Sequence, residues 1–237
     1  MAFATVPAAF AAAIDADSTR PLVTWYDDGT GERAELSGAT CANWVAKVAN
    51  LVTLGAGLGP GDAAAVLVAP HWQTAVVLLG CWSAGVRVTE PPADIVFADA
   101  DRVAGAGAAG VDVYGLALAP MAAPMRQRPP GVSDFVTEVR AYGDHFDPPA
   151  PVRPDDLATT VTHQDLCRAA AQRAEALGVP AGGRVLINVD AHPDPLDWLL
   201  APLVAGASSV LCRRLDPAAL PGRVVAEKAT TVVGAPH

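Results

Sequence analysis

An α/β fold of two related, closely packed subdomains with mostly parallel sheets is what this sequence predicts, and three observations carry the prediction. Apolar side chains make up 51% of the 237 residues and charged ones only 17%, enough to bury a large core with strands covered on both faces. Short apolar runs bounded by Gly and Pro alternate with longer amphipathic stretches, the pattern of strand–helix–strand crossovers. The third observation is an internal repeat. Adding 121 to Leu36, Ala49, Gly57, Gly61, Val68 and His71 gives Leu157, Ala170, Gly178, Gly182, Val189 and His192, and the same offset carries Leu78, Leu79, Ala84 and Gly85 onto Leu199, Leu200, Ala205 and Gly206.

Taken in order, Leu22–Tyr26 and Glu32–Leu36 flank the turn-rich stretch 27–31 and predict a hairpin. Ser37 is placed to cap a helix running to about Leu54, with Trp44, Val45, Val48 and Leu51 on one face. Gly55 to Gly61 breaks it. Ala63–Ala69 then reads as a buried strand, Gln73–Ala84 as an apolar helix and Val86–Thr89 as a further strand. Residues 91–155 hold two strand candidates, 94–98 and 111–118, a helix over 133–142 and a Pro-rich connector over 147–154. The second copy follows, its apolar helix opened by Asp194-Pro195. The chain then continues through a helix over 220–228 and a strand over 230–233. Gly85 and Gly206 are expected to take left-handed conformations at helix ends. The domain division implied is 1–154, then 155–237 as a repeat of 36–90.

Charge excludes one class of partner. A formal net charge of −9 leaves no Lys/Arg stripe to displace phosphate counterions, so no nucleic-acid partner is expected. The apolar segment 104–125 contains Asp112, several Gly and two Pro, so no membrane span is expected either. The first residues carry no basic region ahead of Asp15 and Asp17, which argues against a secretory signal and for a cytoplasmic protein. Cys41, Cys81, Cys167 and Cys212 lie in apolar runs without metal or redox spacing and read as reduced core thiols.

These elements together resemble the N-terminal region of the acyl-adenylate-forming (AMP-binding, acyl-CoA synthetase) superfamily. The residues that carry the resemblance are Leu58-Gly59-Pro60-Gly61-Asp62, the run Leu78 to Gly85, Val161 to Leu166, Gly182 to Leu186, Ala205-Gly206 and Val232 to Pro236. The resemblance implies the fold above and, where the motifs survive, adenylation of a carboxylic acid. One motif does not survive. That family carries a Ser/Thr/Gly-rich loop ending in Pro-Lys-Gly, whose amides and Lys surround the ATP phosphates. The corresponding stretch here, Asp155 to Val161, has neither Gly nor Lys and begins with two carboxylates, which would repel a polyanion. Segments that in the family contact adenine, hold ribose and supply the catalytic Lys have no counterpart in the sequence. The expectation is therefore a non-catalytic, acyl-CoA synthetase-like binding or interaction module with no cofactor. Two alternatives stand beside it: a ligase half completed by a partner chain, and an acyl- or acyl-CoA-binding protein. A homo-oligomer or protein partner would cover the face that the family's missing part covers.

Candidate site residues are few, and no catalytic or metal residue is assigned. His192 follows a strand, where the family often places a His or aromatic residue beside the acyl group; Asp190-Ala191-His192-Pro193-Asp194 reads equally as a polar turn. A vestigial ligand pocket would draw on His192, Asp190, Thr160 and His163. His71, the repeat-mate of His192, reads as a helix-start residue packed on Trp72, and Thr162 as the cap of the helix that His163 begins. Asp144 to Asp147 reads as a solvated loop. The glycine-rich stretch 105–110 precedes a strand, whereas a dinucleotide loop must follow one.

Overall fold

The computed structural model describes residues 3–107 and 110–235. In chain order the elements are α1 (Val6–Ala16), β1 (Pro21–Asp27), β2 (Glu32–Ser37), α2 (Gly38–Asn50), β3 (Ala63–Leu67), α3 (Trp72–Ser83), β4 (Arg87–Thr89), β5 (Ile95–Asp99) and β6 (Asp112–Leu116). There follow β7 (Val132–Asp134), α4 (Phe135–Val139), α5 (His163–Ala176), β8 (Arg184–Asn188), α6 (Ala201–Val204), β9 (Ser208–Arg213), α7 (Leu220–Ala226) and β10 (Thr231–Val233). Two compact units result, one made of Met1–Cys41 with Gln164–His237 and the other of Ala42–His163.

The first unit holds a sheet of order β10-β8-β9-β1-β2, parallel except for the β1–β2 hairpin. Its central strands are apolar on both faces: Val185, Leu186, Ile187, Val210, Leu211 and Cys212 have no exposed surface. β2, at the edge, alternates instead, with only Leu36 buried. Helix α1 was not expected from the sequence. Thr5 caps it by accepting from the Ala8 amide at 3.2 Å, and Val6, Ala9, Phe10 and Ala13 form its buried stripe.

The second unit holds a fully parallel sheet of order β4-β3-β5-β6-β7. All five residues of β5 are buried, and Phe97 stacks on Tyr114 of β6 and meets Phe135 of α4 edge-on. Ser37 caps α2 as expected, accepting from the Thr40 amide at 3.2 Å. Past Asn50 the helix widens into a π-turn over Leu51–Gly55 before Gly57 at φ 71° ends it. The helix expected over 133–142 begins instead as strand β7, whose Asp134 then caps the short α4 through the Thr137 amide.

The two units are discontinuous in sequence, because β1 pairs with the distant β9 as well as with its neighbour β2. Adding 121 to the bounds of β3 gives those of β8, and β4 maps onto the first half of β9. Gly57, Gly61 and Gly85, with Gly178, Gly182 and Gly206, all have positive φ. The sheets then grow differently: β9 is a central strand paired with β1, whereas β4 is an edge whose Val88 amide donates to the Ala158 carbonyl at 2.8 Å. Of the segments discussed above, Ala108, Ala109, Pro236 and His237 lie outside the described residues.

Candidate functional site

In the first unit, His192 and Asp190 stand just beyond the carboxyl end of β8. Asn188 organises this turn. Its carbonyl accepts from the amides of Ala191 (3.2 Å) and His192 (3.0 Å), its Oδ1 from the Asp190 amide (3.2 Å), and its Nδ2 donates to the Gly234 carbonyl (3.1 Å) after β10. The His192 ring lies against Gly234, whose φ is 70°; a Cβ there would come within 2.7 Å of the imidazole Cδ2, so glycine is required on both counts. Carboxyl ends of parallel strands are where α/β sheets expose ligand-binding loops.

His192 Nδ1 lies 2.8 Å from Asp197 Oδ2, and Asp197 is gripped by Arg173 through Nε (2.6 Å) and Nη2 (2.8 Å). The Arg173 hydrogen bonds, helped by His192 and opposed by burial, hold the Asp197 carboxyl below the usual carboxylate range. An ionised Asp197 accepts the Nδ1 proton, a tautomer assigned from this network, which leaves Nε2 with its lone pair as an acceptor. Asp190 does something else. Its Oδ2 accepts the Arg214 amide at 2.5 Å and fixes the turn after β9. The sequence pattern marked His192 but neither Arg173 nor Asp197 as its support. The signal was available in the repeat: 121 residues earlier stand Val52 and Val76, both fully buried.

In the second unit, Thr160 is exposed at a bend and His163 begins α5 with no exposed surface. The stretch from Arg153 to the start of α5 turns five of its amides onto its own oxygens. The Ala158 and Thr159 amides both donate to the Val161 carbonyl (3.0 and 3.2 Å), the Val161 amide to Thr159 Oγ1 (3.4 Å), the His163 amide to the Asp156 carbonyl (2.9 Å) and the Asp156 amide to the Arg153 carbonyl (3.2 Å). Trp82 Nε1 donates to the Ala158 carbonyl at 2.8 Å and pins the loop from within. Burial pushes the His163 imidazole down to about 4, with the Asp156 charge opposing.

The remaining candidates have structural roles. His71 caps α3, its Nδ1 accepting from the Gln73 amide at 3.1 Å, and its ring lies 5.5 Å from that of Trp72. His145 pairs with Asp147 at 3.1 Å on a solvated loop. All four cysteines are buried free thiols. Among the described residues no group of three or more His, Cys, Asp or Glu could hold a metal, and no helix is long and apolar enough to cross a membrane.

No protein-family model matches the chain. A TIGR03089 family protein of Mycobacterium tuberculosis (strain ATCC 25618 / H37Rv) is 43% identical to it over 231 residues, covering 92% of this chain and 93% of that protein. Among solved structures, a Brucella canis acyl-CoA synthetase superposes on 94% of the chain with a TM-score of 0.73 at 16% identity. A fatty acid AMP ligase from Legionella pneumophila gives 97%, 0.69 and 12%, and the N-terminal domain of FACL13 from Mycobacterium tuberculosis gives 95%, 0.66 and 14%. The chain spans 46%, 44% and 61% of those three. At these identities the likeness is one of fold, and it is the fold of the N-terminal domain of acyl-CoA synthetases that the sequence predicted.

Proposed function

The chain belongs to the TIGR03089 family, and we propose that it is a non-catalytic acyl-CoA synthetase-like protein that binds an acyl-type ligand without adenylating it. One observation carries this reading. The loop at 155–163, which stands where the resembled family cradles phosphates, spends the amides of Asp156, Ala158, Thr159, Val161 and His163 on its own carbonyl and hydroxyl oxygens. It offers no lysine and leads with Asp155 and Asp156. Adenylation draws its rate from positioning and stabilising phosphoryl charge, and a loop that commits these five amides internally and brings two carboxylates is poorly suited to either.

What the scaffold retains is the polar turn around His192, whose Nε2 is held as an acceptor for a hydroxyl or amide donor on a ligand. Asp190 shapes that turn. In this reading the 121-residue offset of strands and left-handed glycines reflects a duplicated ancestral unit.

The test is direct. Purified protein is incubated with ATP, Mg²⁺ and a panel of aliphatic and aromatic carboxylic acids, and pyrophosphate and acyl-AMP are measured. Neither is expected, while long-chain acyl-CoA should raise the melting temperature and ATP should not. Turnover to acyl-AMP would end the proposal.

A further inference from the structure

At the opposite edge of the first unit's sheet lies a cleft of about 550 Å³, lined by the amino ends of β1, β8, β9 and β10 and the end of α7. It is remote in the sheet from the carboxyl-end turn that carries His192. Six charged side chains line it: Arg20, Arg33, Arg184 and Lys228 against Glu35 and Glu227. Four cations and two anions leave an excess of two positive charges, in a chain whose formal net charge is −9.

The two carboxylates are already engaged. Glu227 Oε1 accepts from the Tyr26 hydroxyl (2.5 Å) and Arg33 (3.0 Å), and its Oε2 from Arg184; Glu35 Oε2 accepts from Arg33 (2.6 Å) and Thr24 (3.2 Å). Arg20 and Lys228 hold the surplus. Among the described residues neither side chain makes an ion pair: the Arg20 guanidinium donates to the carbonyls of Gly206 (2.9 Å) and Gly182 (3.4 Å), which fixes it across the loops that open β8 and β9, while its backbone amide donates to Asp17 Oδ1 (3.2 Å).

Lys228 adds a second, independent indication. The helical segments preceding Gly57, Gly85, Gly178 and Gly206 all end on a glycine with positive φ. α7 ends the same way, with Glu227 as its C-cap, but the left-handed position is Lys228 at φ 52°. A side chain there costs about 1 kcal/mol or more that glycine avoids. The residue held in that conformation lines the cleft.

We propose that this cleft binds a phosphate-type dianion, with Lys228 and Arg20 as its principal ligands and the outer edge of Arg33 beside them. Guanidinium and ammonium donors together suit tetrahedral oxyanions. The inference does not rest on the proposed acyl-ligand function, since it concerns the other edge of the sheet.

The experiment titrates inorganic phosphate at pH 8 into the full chain, at ionic strength fixed with sodium chloride, followed by ³¹P NMR. Saturable binding is expected. Lys228→Gly should melt higher than the wild type without phosphate, because the left-handed strain is relieved, yet bind phosphate about tenfold more weakly or worse, the size of a lost charge-assisted hydrogen bond. Arg20→Gln should weaken binding similarly. A non-saturating wild-type titration, or phosphate affinity unchanged in both variants, overturns the proposal.

Discussion

His163 begins α5 with no exposed surface, and burial, opposed by the Asp156 charge, holds its imidazole pKa at about 4. In the unfolded chain the same ring titrates near ~6.5. Between those two values the unfolded state binds the extra proton and the folded state refuses it, so stability falls as the pH falls. The contribution is whole above about pH 6.5 and is progressively lost toward pH 4. A gap of about 2.5 units corresponds to roughly 3 kcal/mol, most of it spent by pH 4.5. The assay compares wild type with His163→Gln by urea denaturation at pH 7.5 and at pH 4.5. The variant loses packing at both values, but only the wild type carries the imidazole penalty in acid. The difference between the two proteins should therefore move by roughly 2–3 kcal/mol in the variant's favour on acidification. Carboxylates elsewhere titrate alike in both and cancel. If the two stability profiles run parallel from pH 7.5 to 4.5, the enclosure of His163 as described is wrong.

Two further outcomes follow from local geometry. Gly206→Ala should cost only the strain of a left-handed alanine, about 1–2 kcal/mol, because no heavy atom lies within 4 Å of the added Cβ; Gly85→Ala should cost more, since its Cβ would meet Pro60 Cγ at 3.0 Å. Thermal melts of the pair check the order. Replacing Arg173 and Asp197 together by valine, the residues found 121 positions earlier, should keep stability within about 1–2 kcal/mol while ¹⁵N NMR of His192 shifts from a single Nδ1–H tautomer to a mixture. Unfolding of that double variant, or an unmoved tautomer, would contradict the role given to Asp197.

The sequence made the strands legible wherever both faces are buried. Ile95 to Ala98 and Val185 to Ile187 are uninterrupted apolar runs, so burial speaks through composition alone. α1 escaped because its Ala-rich stretch shows little contrast between faces, although Thr5 ahead of Pro7 is a usable start signal. β7 escaped for a different reason. Val132-Ser133-Asp134 is too short to show a period and becomes a strand only by pairing with β6. The same non-local choice hides the β1–β9 pairing: nothing near Trp25 announces that it will lie beside Leu211. Of the candidate site, residue types placed His192 correctly beyond a strand, and the missing Gly and Lys of 155–161 were plain. That five of the loop's amides bond within it, and that Trp82 pins its Ala158 carbonyl from 76 residues away, required coordinates.

His71 and His192, 121 residues apart, stand in different surroundings. Nδ1 of His71 accepts a helix amide, the residue is 1% exposed, and 121 positions before Arg173 and Asp197 stand Val52 and Val76, both buried. That arrangement shows the unit packs there without charge. Around His192 the positions at that offset are Arg173, half-exposed, and Asp197, buried, so the two form a partly solvated ion pair whose contribution to stability is modest. What the pair does supply is a fixed imidazole, with Nδ1 committed to Asp197 and Nε2 left as an acceptor next to Gly234. Under the proposed function a ligand's donor would meet that acceptor, so acyl-CoA stabilisation should weaken in the Arg173/Asp197 double variant even though its unliganded stability stays within about 1–2 kcal/mol of the wild type.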